Sequence, residues 1–501
     1  MAILWDILRI LHNQEVPPVN SEAQSNRGLN IETNAINVIA EAERTGEARN
    51  LFWPWCAANI SVLGVSYGSW FLGFGVSFFQ ASLAAILGTV FSFLLVGFVS
   101  LAGKHGSAPT MTLSRAAFGV DGNKLPGALS YLALVGWETV LCSLATLATA
   151  TLFERIGGIQ GTSAKLFGFF VVVLLTMGAG VLGFNVIMKL QKIITIATAI
   201  LTLGYMLLSF KEINWDAVSA HPAGNFQAFI GVLIFGMTGF GLGWVNSGAD
   251  YSRYLPRTVS SRSVVGWTVL GASIAPIILV IYGALLAGSD QKLNDAISGD
   301  PIGALTTILP TWYLIPFAIV AILGLVGGTV LDIYSSGLAL ISLGIKIPRA
   351  VAVGIDGLIM IAGTIYIVWF AENFFGPFQG FLITLGVPLA AWAGIFIADL
   401  LLRKREYNDS DLFNSKGRYG SVNISSVMIL IVASLAGWGL VTNGFASWLS
   451  WQGYLLKPIG LGGKDGAWAY ANLGVAIALF IGFFGHFILA KSSVEKQESK
   501  A

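Results

Sequence analysis

Twelve stretches of this chain, each of roughly 18 or more predominantly apolar residues, follow one another between residues 52 and 490 with short polar connections between them. They fall near 52–79, 81–101, 127–152, 165–184, 193–210, 225–248, 264–287, 312–343, 351–370, 374–402, 422–445 and 468–490. A run of that length crosses a hydrocarbon core of about 30 Å as an α-helix, which satisfies its own backbone hydrogen bonds without water. The expected fold class is an all-α polytopic membrane protein with twelve transmembrane helices. Composition agrees, because only 11% of the 501 residues are charged and 55% are hydrophobic, a balance foreign to soluble domains.

Orientation follows from Lys and Arg, which concentrate in cytoplasmic loops. With both termini cytoplasmic, the segments on that side hold 22 of the 28 basic residues, as expected of a multi-pass protein of the plasma (cytoplasmic) membrane. The net charge of +2 gives no pointer to nucleic acid. Cys56 and Cys142 both lie inside spans, so no disulfide framework is implied. Residues 1–50 and 491–501 read as solvated cytoplasmic tails. "MAILWDILRILHNQEV" at the start has apolar residues at helical spacing and no basic leader region, so an interfacial helix is expected there rather than a signal peptide.

Glycine interrupts two spans at corresponding places. Span 1 carries "NISVLGVSYGSW" (59–70) and span 6, five spans later, carries "FGMTGFGLGWVNSG" (235–248). Broken helices at matched positions in two halves point to a secondary transporter with an inverted repeat and a midplane site. The competing reading is that Gly64/Gly68 and Gly239/Gly243 are close-packing seams.

Acids inside the spans are few: Glu138, Asp332, Asp356 and Asp399. Asp356 and Asp399 lie near Arg349 and Arg403, where snorkelling or an interfacial ion pair accounts for them. Asp332 shares its helix face with Gly328, Thr329, Ser335 and Ser336, a narrow polar stripe able to line a wet cavity. Glu138 shares its face with Leu134, Leu141 and Cys142, so its partner must come from another helix. Each acid is either a protonated group satisfied within the bundle or one that faces substrate or relays a proton. "GVSYG" (64–68) fits G-x-S-x-G but lacks the strand-to-helix turn that an intramembrane hydrolase of that type requires. His12, His105, His221 and His486 offer Ser66 no base, and no metal-ligand cluster is visible.

Four segments resemble the nucleobase:cation symporter family type 1, purine-cytosine permease branch: "NAINVIAEAER" (34–44), "SRAAFGVDGNKLPG" (114–127), "GWVNSGADYSRYLP" (243–256) and "PLAAWAGIFIADLLLRKREYNDSDLF" (388–413). The resemblance implies a five-plus-five inverted repeat of the leucine transporter type plus two extra helices. Repeat one would cover about 52–210, repeat two about 225–402 and the extra helices about 422–490, within a transporter domain of 51–490. It also implies a substrate site built from spans 1, 3, 6 and 8. Threading the shared motifs places Ser61, Glu138, Gly239 with Phe240, and Asp332 there, with Trp244 as the alternative register for the aromatic. Glu138 and Asp332 stand where hydantoin-type carriers use Gln and Asn. A carboxyl at Asp332 suits the in-plane N–H groups of cytosine and purines, and an aromatic covers the ring face.

The sodium site of such carriers uses span 1 carbonyls and span 8 hydroxyls. Here it maps to Ala57 and Ile60, while the span 8 positions fall at Val326 and Gly327 and leave Thr329 as the nearest hydroxyl. The expectation is a monomeric importer of a cytosine- or purine-type nucleobase, coupled to protons with Na+ as the alternative ion, needing no cofactor and working by alternating access. Pyridoxine- or thiamine-like vitamins and allantoin or hydantoin are the alternative cargoes, and a hydrolase the alternative class.

Overall fold

Helix starts follow local chemistry. Ser77 and Gln80 form a reciprocal capping box at the start of a 29-residue helix, and Asn225 and Asn423 accept from backbone N–H groups three residues on at two others; each satisfies donors that a helix end leaves free. The computed structural model describes residues 37–181, 184–345, 349–444 and 446–499, and the described residues contain helices and no strands. The principal helices are α1 (Phe52–Asn59), α2 (Leu63–Leu72), α3 (Phe78–Gly106), α4 (Lys124–Leu152), α5 (Thr162–Val181), α6 (Phe184–Ser209), α7 (Phe226–Gly239), α8 (Gly241–Trp244), α9 (Ser261–Ser289), α10 (Thr311–Ser342), α11 (Arg349–Ile365), α12 (Phe375–Leu402), α13 (Ile424–Trp438), α14 (Leu473–Leu489) and α15 (Lys491–Ser499).

Among the described residues eight helices are long and apolar enough to cross a membrane, or nine if the bent pair α14–α15 is one span. The other expected runs are the broken pair α1–α2 and the shorter apolar helices α5 and α13. The protein is thus a polytopic helical bundle, but length and composition do not by themselves reach twelve crossings. The helices sort into groups: α9 packs on α1, α2 and α3, with α7 and α8 also on α3, while α10 packs on α4, α5, α6 and α11. The pair α13 and α14 leans on α12. The first two runs of each half therefore share one group, and the third and fourth runs share another.

Both expected breaks are present, but neither is centred on glycine. The first falls at Ile60, which is extended (φ −84°, ψ 91°), and Ser61 Oγ accepts from the Leu63 N–H at 3.3 Å. The second falls at Phe240 (φ −113°, ψ −104°), where Ser92 of α3 accepts the freed Gly241 N–H at 3.0 Å. Gly64 and Gly68 serve the packing seam instead. A Cβ on Gly68 would come 2.1 Å from the Ala284 nitrogen, and one on Gly283 would come 1.8 Å from the Val65 carbonyl. Close backbone contact of α2 with α9 thus leaves no room for side chains.

The described parts of the tails are mostly exposed but send a few side chains into the bundle. Ile39, Arg44, Ala48 and Leu51 are buried, with the Arg44 Nε donating to the Leu255 carbonyl at 2.9 Å. Apolar residues at Ile39, Ala48 and Leu51 give this polar-looking stretch a face to bury. At the other terminus α15 buries Val494 and Gln497, and Gln497 accepts from Arg403 at 2.8 Å. The amphipathic segment at residues 1–16 lies outside the described residues.

Candidate functional site

Around a cavity of about 80 Å³, α1 and its break contribute Ala57, Asn59, Ile60 and Ser61, and α2 contributes Tyr67. Across from them stand Trp137 and Leu141 of α4, Gly239, Phe240 and Trp244 at the second break, and Gly328, Leu331 and Asp332 of α10. The volume is well below the ~300–1,000 Å³ of drug-sized sites, a scale that suits a single small ring system. Asp332 is 2% exposed and is the one carboxyl on the wall; no Lys, Arg or His lines it among the described residues. Both helix breaks thus face one acid and four aromatic rings. Broken helices at such a position leave backbone groups free for ligand or ion.

The expected site residues divide. Ser61, Gly239, Phe240, Asp332, Ala57 and Ile60 line the cavity. Glu138 and Thr329 are fully buried but are not among the lining residues, and the Thr329 hydroxyl donates to the Leu325 carbonyl at 2.9 Å. Glu138 has no hydrogen bond of good geometry to either oxygen; the Ser336 hydroxyl, Asp332 and Asp356 are within its electrostatic reach. The partner expected from another helix is thus not found among the hydrogen bonds of the described residues. Ser66, the centre of the G-x-S-x-G match, donates to the Pro301 carbonyl at 2.7 Å.

Gly239 and Gly243 have ordinary backbone angles; what they supply is close approach. A Cβ on Gly239 would come 2.6 Å from the Tyr67 ring, and one on Gly243 would come 3.0 Å from the Trp137 indole nitrogen. Tyr67 also donates its hydroxyl to the Gly239 carbonyl at 3.2 Å, tying α2 to the end of α7 beside the cavity.

Sequence reasoning missed Tyr67 and Trp137, although Trp137 adjoins Glu138. Tyr67 stacks at a tilt on Phe240, centroids 4.6 Å apart. Beyond it, Trp70 meets Phe375 and Phe378 at 5.2 Å each, and Phe378 reaches Tyr67 at 5.9 Å and Trp137 at 5.8 Å. This aromatic layer separates the cavity from a depression of about 600 Å³ lined by Ser69, Asn294, Asp295 and Gln379.

The acids near the Lys/Arg-rich end differ from each other. Asp399 pairs with Arg403 as expected, at 2.6 and 2.9 Å, though the pair is buried rather than interfacial and His486 adds a third partner at 3.3 Å. Asp356 does not snorkel. It is fully buried and accepts from Tyr131 at 2.6 Å and from Ser336 at 2.9 Å. The Arg349 side chain lies outside the described residues.

The family model for permeases for cytosine/purines, uracil, thiamine and allantoin matches residues 38–456. The chain belongs to this permease family, the nucleobase:cation symporters of type 1. The Bacillus subtilis protein YxlA is 26% identical, over 94% of this chain and 98% of its own length. The Saccharomyces cerevisiae purine-cytosine permease FCY2 is 25% identical, over 91% and 87%. Inward-facing Mhp1 superposes with a TM-score of 0.69 at 18% identity, over 96% of this chain and 98% of that one. The closed form of Mhp1, a nucleobase-cation-symport-1 family transporter with bromovinylhydantoin bound, gives 0.66 at 18% identity, over 94% and 100%. This permease therefore has the leucine-transporter-type fold, and it is a nucleobase-type transporter of small heterocycles, not an enzyme.

Phe240 presents an aromatic ring to the cavity wall, 4.6 Å from that of Tyr67. Phe240→Ala is expected to weaken binding by about 1–3 kcal/mol, the range for base–aromatic stacking, whereas Phe240→Trp is mild. Equilibrium binding of labelled cytosine to purified protein measures both. A comparable loss in Trp244→Ala alone would move the stacking role by one helical turn.

Proposed function

We propose that this permease imports a cytosine- or purine-type nucleobase by symport with protons, as a monomer of the plasma membrane with both termini cytoplasmic. The carrying observation is the position of Asp332: a single carboxyl, without a cationic neighbour on the wall, facing a small cavity otherwise walled largely by aromatic and apolar groups. A planar base offers N–H donors in its plane to the carboxyl and a π-face to Tyr67, Trp137, Phe240 or Trp244. Ser61 supplies a further hydroxyl at the first break. An uncompensated charge in such a place is costly, so a proton that neutralises Asp332 as the loaded carrier closes removes that cost.

Protons are favoured over sodium by the state of Thr329. Its hydroxyl is engaged with its own helix and off the cavity wall, which leaves Ala57 and Ile60 at the end of α1 without a hydroxyl opposite them from α10. Counterflow into proteoliposomes preloaded with unlabelled cytosine, adenine, hypoxanthine, uracil, pyridoxine or allantoin tests the cargo. Labelled cytosine is expected to exchange against cytosine and at least one purine. Exchange against pyridoxine or allantoin alone would overturn the nucleobase reading.

A further inference from the structure

We propose that Asp356, held between Tyr131 and Ser336, is the group through which a proton leaves the central site toward the Lys/Arg-rich end of the bundle. The proposal rests on the proton-symport reading and deepens it by naming an exit route, which that reading does not contain.

Asp332 and Ser336 share one face of α10 a turn apart. Counting 1.5 Å per residue from the Lys/Arg-rich end, Asp332 lies ~15 Å up α10, while Ser336, Asp356 and Tyr131 all lie ~9–11 Å up their own helices. Tyr131 donates to Asp356 Oδ1 at 2.6 Å and Ser336 Oγ donates to Asp356 Oδ2 at 2.9 Å. The Ser336 hydroxyl thus stands between Asp356, to which it is hydrogen-bonded, and Asp332 of the cavity, one turn further up the same face of α10. Glu138, whose oxygens have no hydrogen-bond partner among the described residues, is not part of this route.

Among the described side chains on the packed elements, no cation competes for Asp356. Helix α4 presents Tyr131 and Glu138, and its terminal Lys124 is exposed and paired with Asp121 at 2.8 Å. Helix α10 presents Ser336 and, further up, Asp332. Helix α5 brings Met177 against Gly357 of α11, and its Lys165 reaches the Val368 carbonyl beyond the far end of α11. An intramembrane acid whose neighbours are hydroxyls and another acid is arranged for proton transfer rather than for ion pairing.

The step balances. Neutral Asp332 gives its proton to Ser336 Oγ, directly or through a water between them, as Ser336 passes its own proton to Asp356 Oδ2; Asp332 becomes the carboxylate and Asp356 the neutral acid. Asp356 then gives that proton to water at the inner end and returns to the carboxylate that Tyr131 and Ser336 hydrogen-bond. Substrate exchange needs no net release, so it does not need this route.

The test uses proteoliposomes with labelled cytosine outside and a pH-sensitive dye inside, under an inward proton gradient. Wild type is expected to acidify the lumen when cytosine is added. Asp356→Asn keeps exchange but loses cytosine-linked acidification and accumulation, and Asp356→Glu restores part of both. Should Asp356→Asn accumulate like wild type, the exit route is wrong while proton symport stands; should wild type itself show no cytosine-linked acidification, symport falls and the route with it. If Asp356→Asn does not reach the membrane, Tyr131→Phe decides. It removes a donor that favours the Asp356 carboxylate, so internal acid should inhibit net uptake at a higher internal pH than in wild type, and an unchanged internal-pH profile would overturn the proposal.

Discussion

Asp332→Asn is expected to bind and exchange labelled cytosine but to lose accumulation driven by an inward proton gradient. The amide matches the neutral acid in shape and can still hydrogen-bond the edge of a ring, but it cannot take up or give up a proton. Asp332 is 2% exposed and lines the cavity next to Gly328 and Leu331, so the substitution changes the charge state of the site with little change in its volume. If Asp332 only accepted hydrogen bonds from substrate while permanently ionised, the amide would weaken binding and leave any residual uptake gradient-dependent. Parallel measurement of counterflow and gradient-driven uptake separates the two. Continued concentration of cytosine by Asp332→Asn would remove Asp332 as the coupling group and make Glu138→Gln the next variant to measure.

Gly239→Leu is expected to abolish uptake while the protein still reaches the membrane. Its Cβ alone would lie 2.6 Å from the Tyr67 ring, and Tyr67 is hemmed in by Trp70, Phe71, Phe235, Phe240 and Phe378 with centroid distances of 4.6–6.4 Å. Neither the ring nor the α7 terminus can yield without disturbing both helix breaks, and overpacking a close-packed core typically costs ~1–3 kcal/mol. Gly243→Leu should be milder, because its Cβ meets only the Trp137 indole at 3.0 Å, and that ring borders the cavity. Surface labelling and uptake of the two variants side by side check the order; normal uptake by Gly239→Leu would mean that the contact between the two breaks is dispensable.

Much of the fold was legible because lipid imposes long apolar runs. The run placed at 374–402 is α12 at Phe375–Leu402, and the one at 81–101 lies within α3 at Phe78–Gly106. The i,i+4 partnership of Asp399 with Arg403 was readable for the same local reason. The breaks were readable in region but not in residue: glycine marked them, yet the chain turns at Ile60 and Phe240, and the marked glycines serve close packing. What depends on distant contacts was not legible. Tyr131 and Asp356 are 225 positions apart, so nothing along either helix signals their hydrogen bond, and Asp356 looked like a residue reaching for the interface. The aromatic layer of Tyr67, Trp70 and Phe378 likewise joins α2 to α12, and the burial of Arg44 depends on the Leu255 carbonyl, 211 positions away.

The central claim, that a proton gradient drives a nucleobase through this cavity, is tested most directly by uptake of labelled cytosine into sodium-free proteoliposomes with an acidic exterior. Concentrative uptake that a protonophore collapses, and that sodium does not increase, is the predicted result. Cytosine that only equilibrates under the proton gradient and concentrates when a sodium gradient is imposed would contradict the claim and return the coupling site to the carbonyls near Ala57 and Ile60.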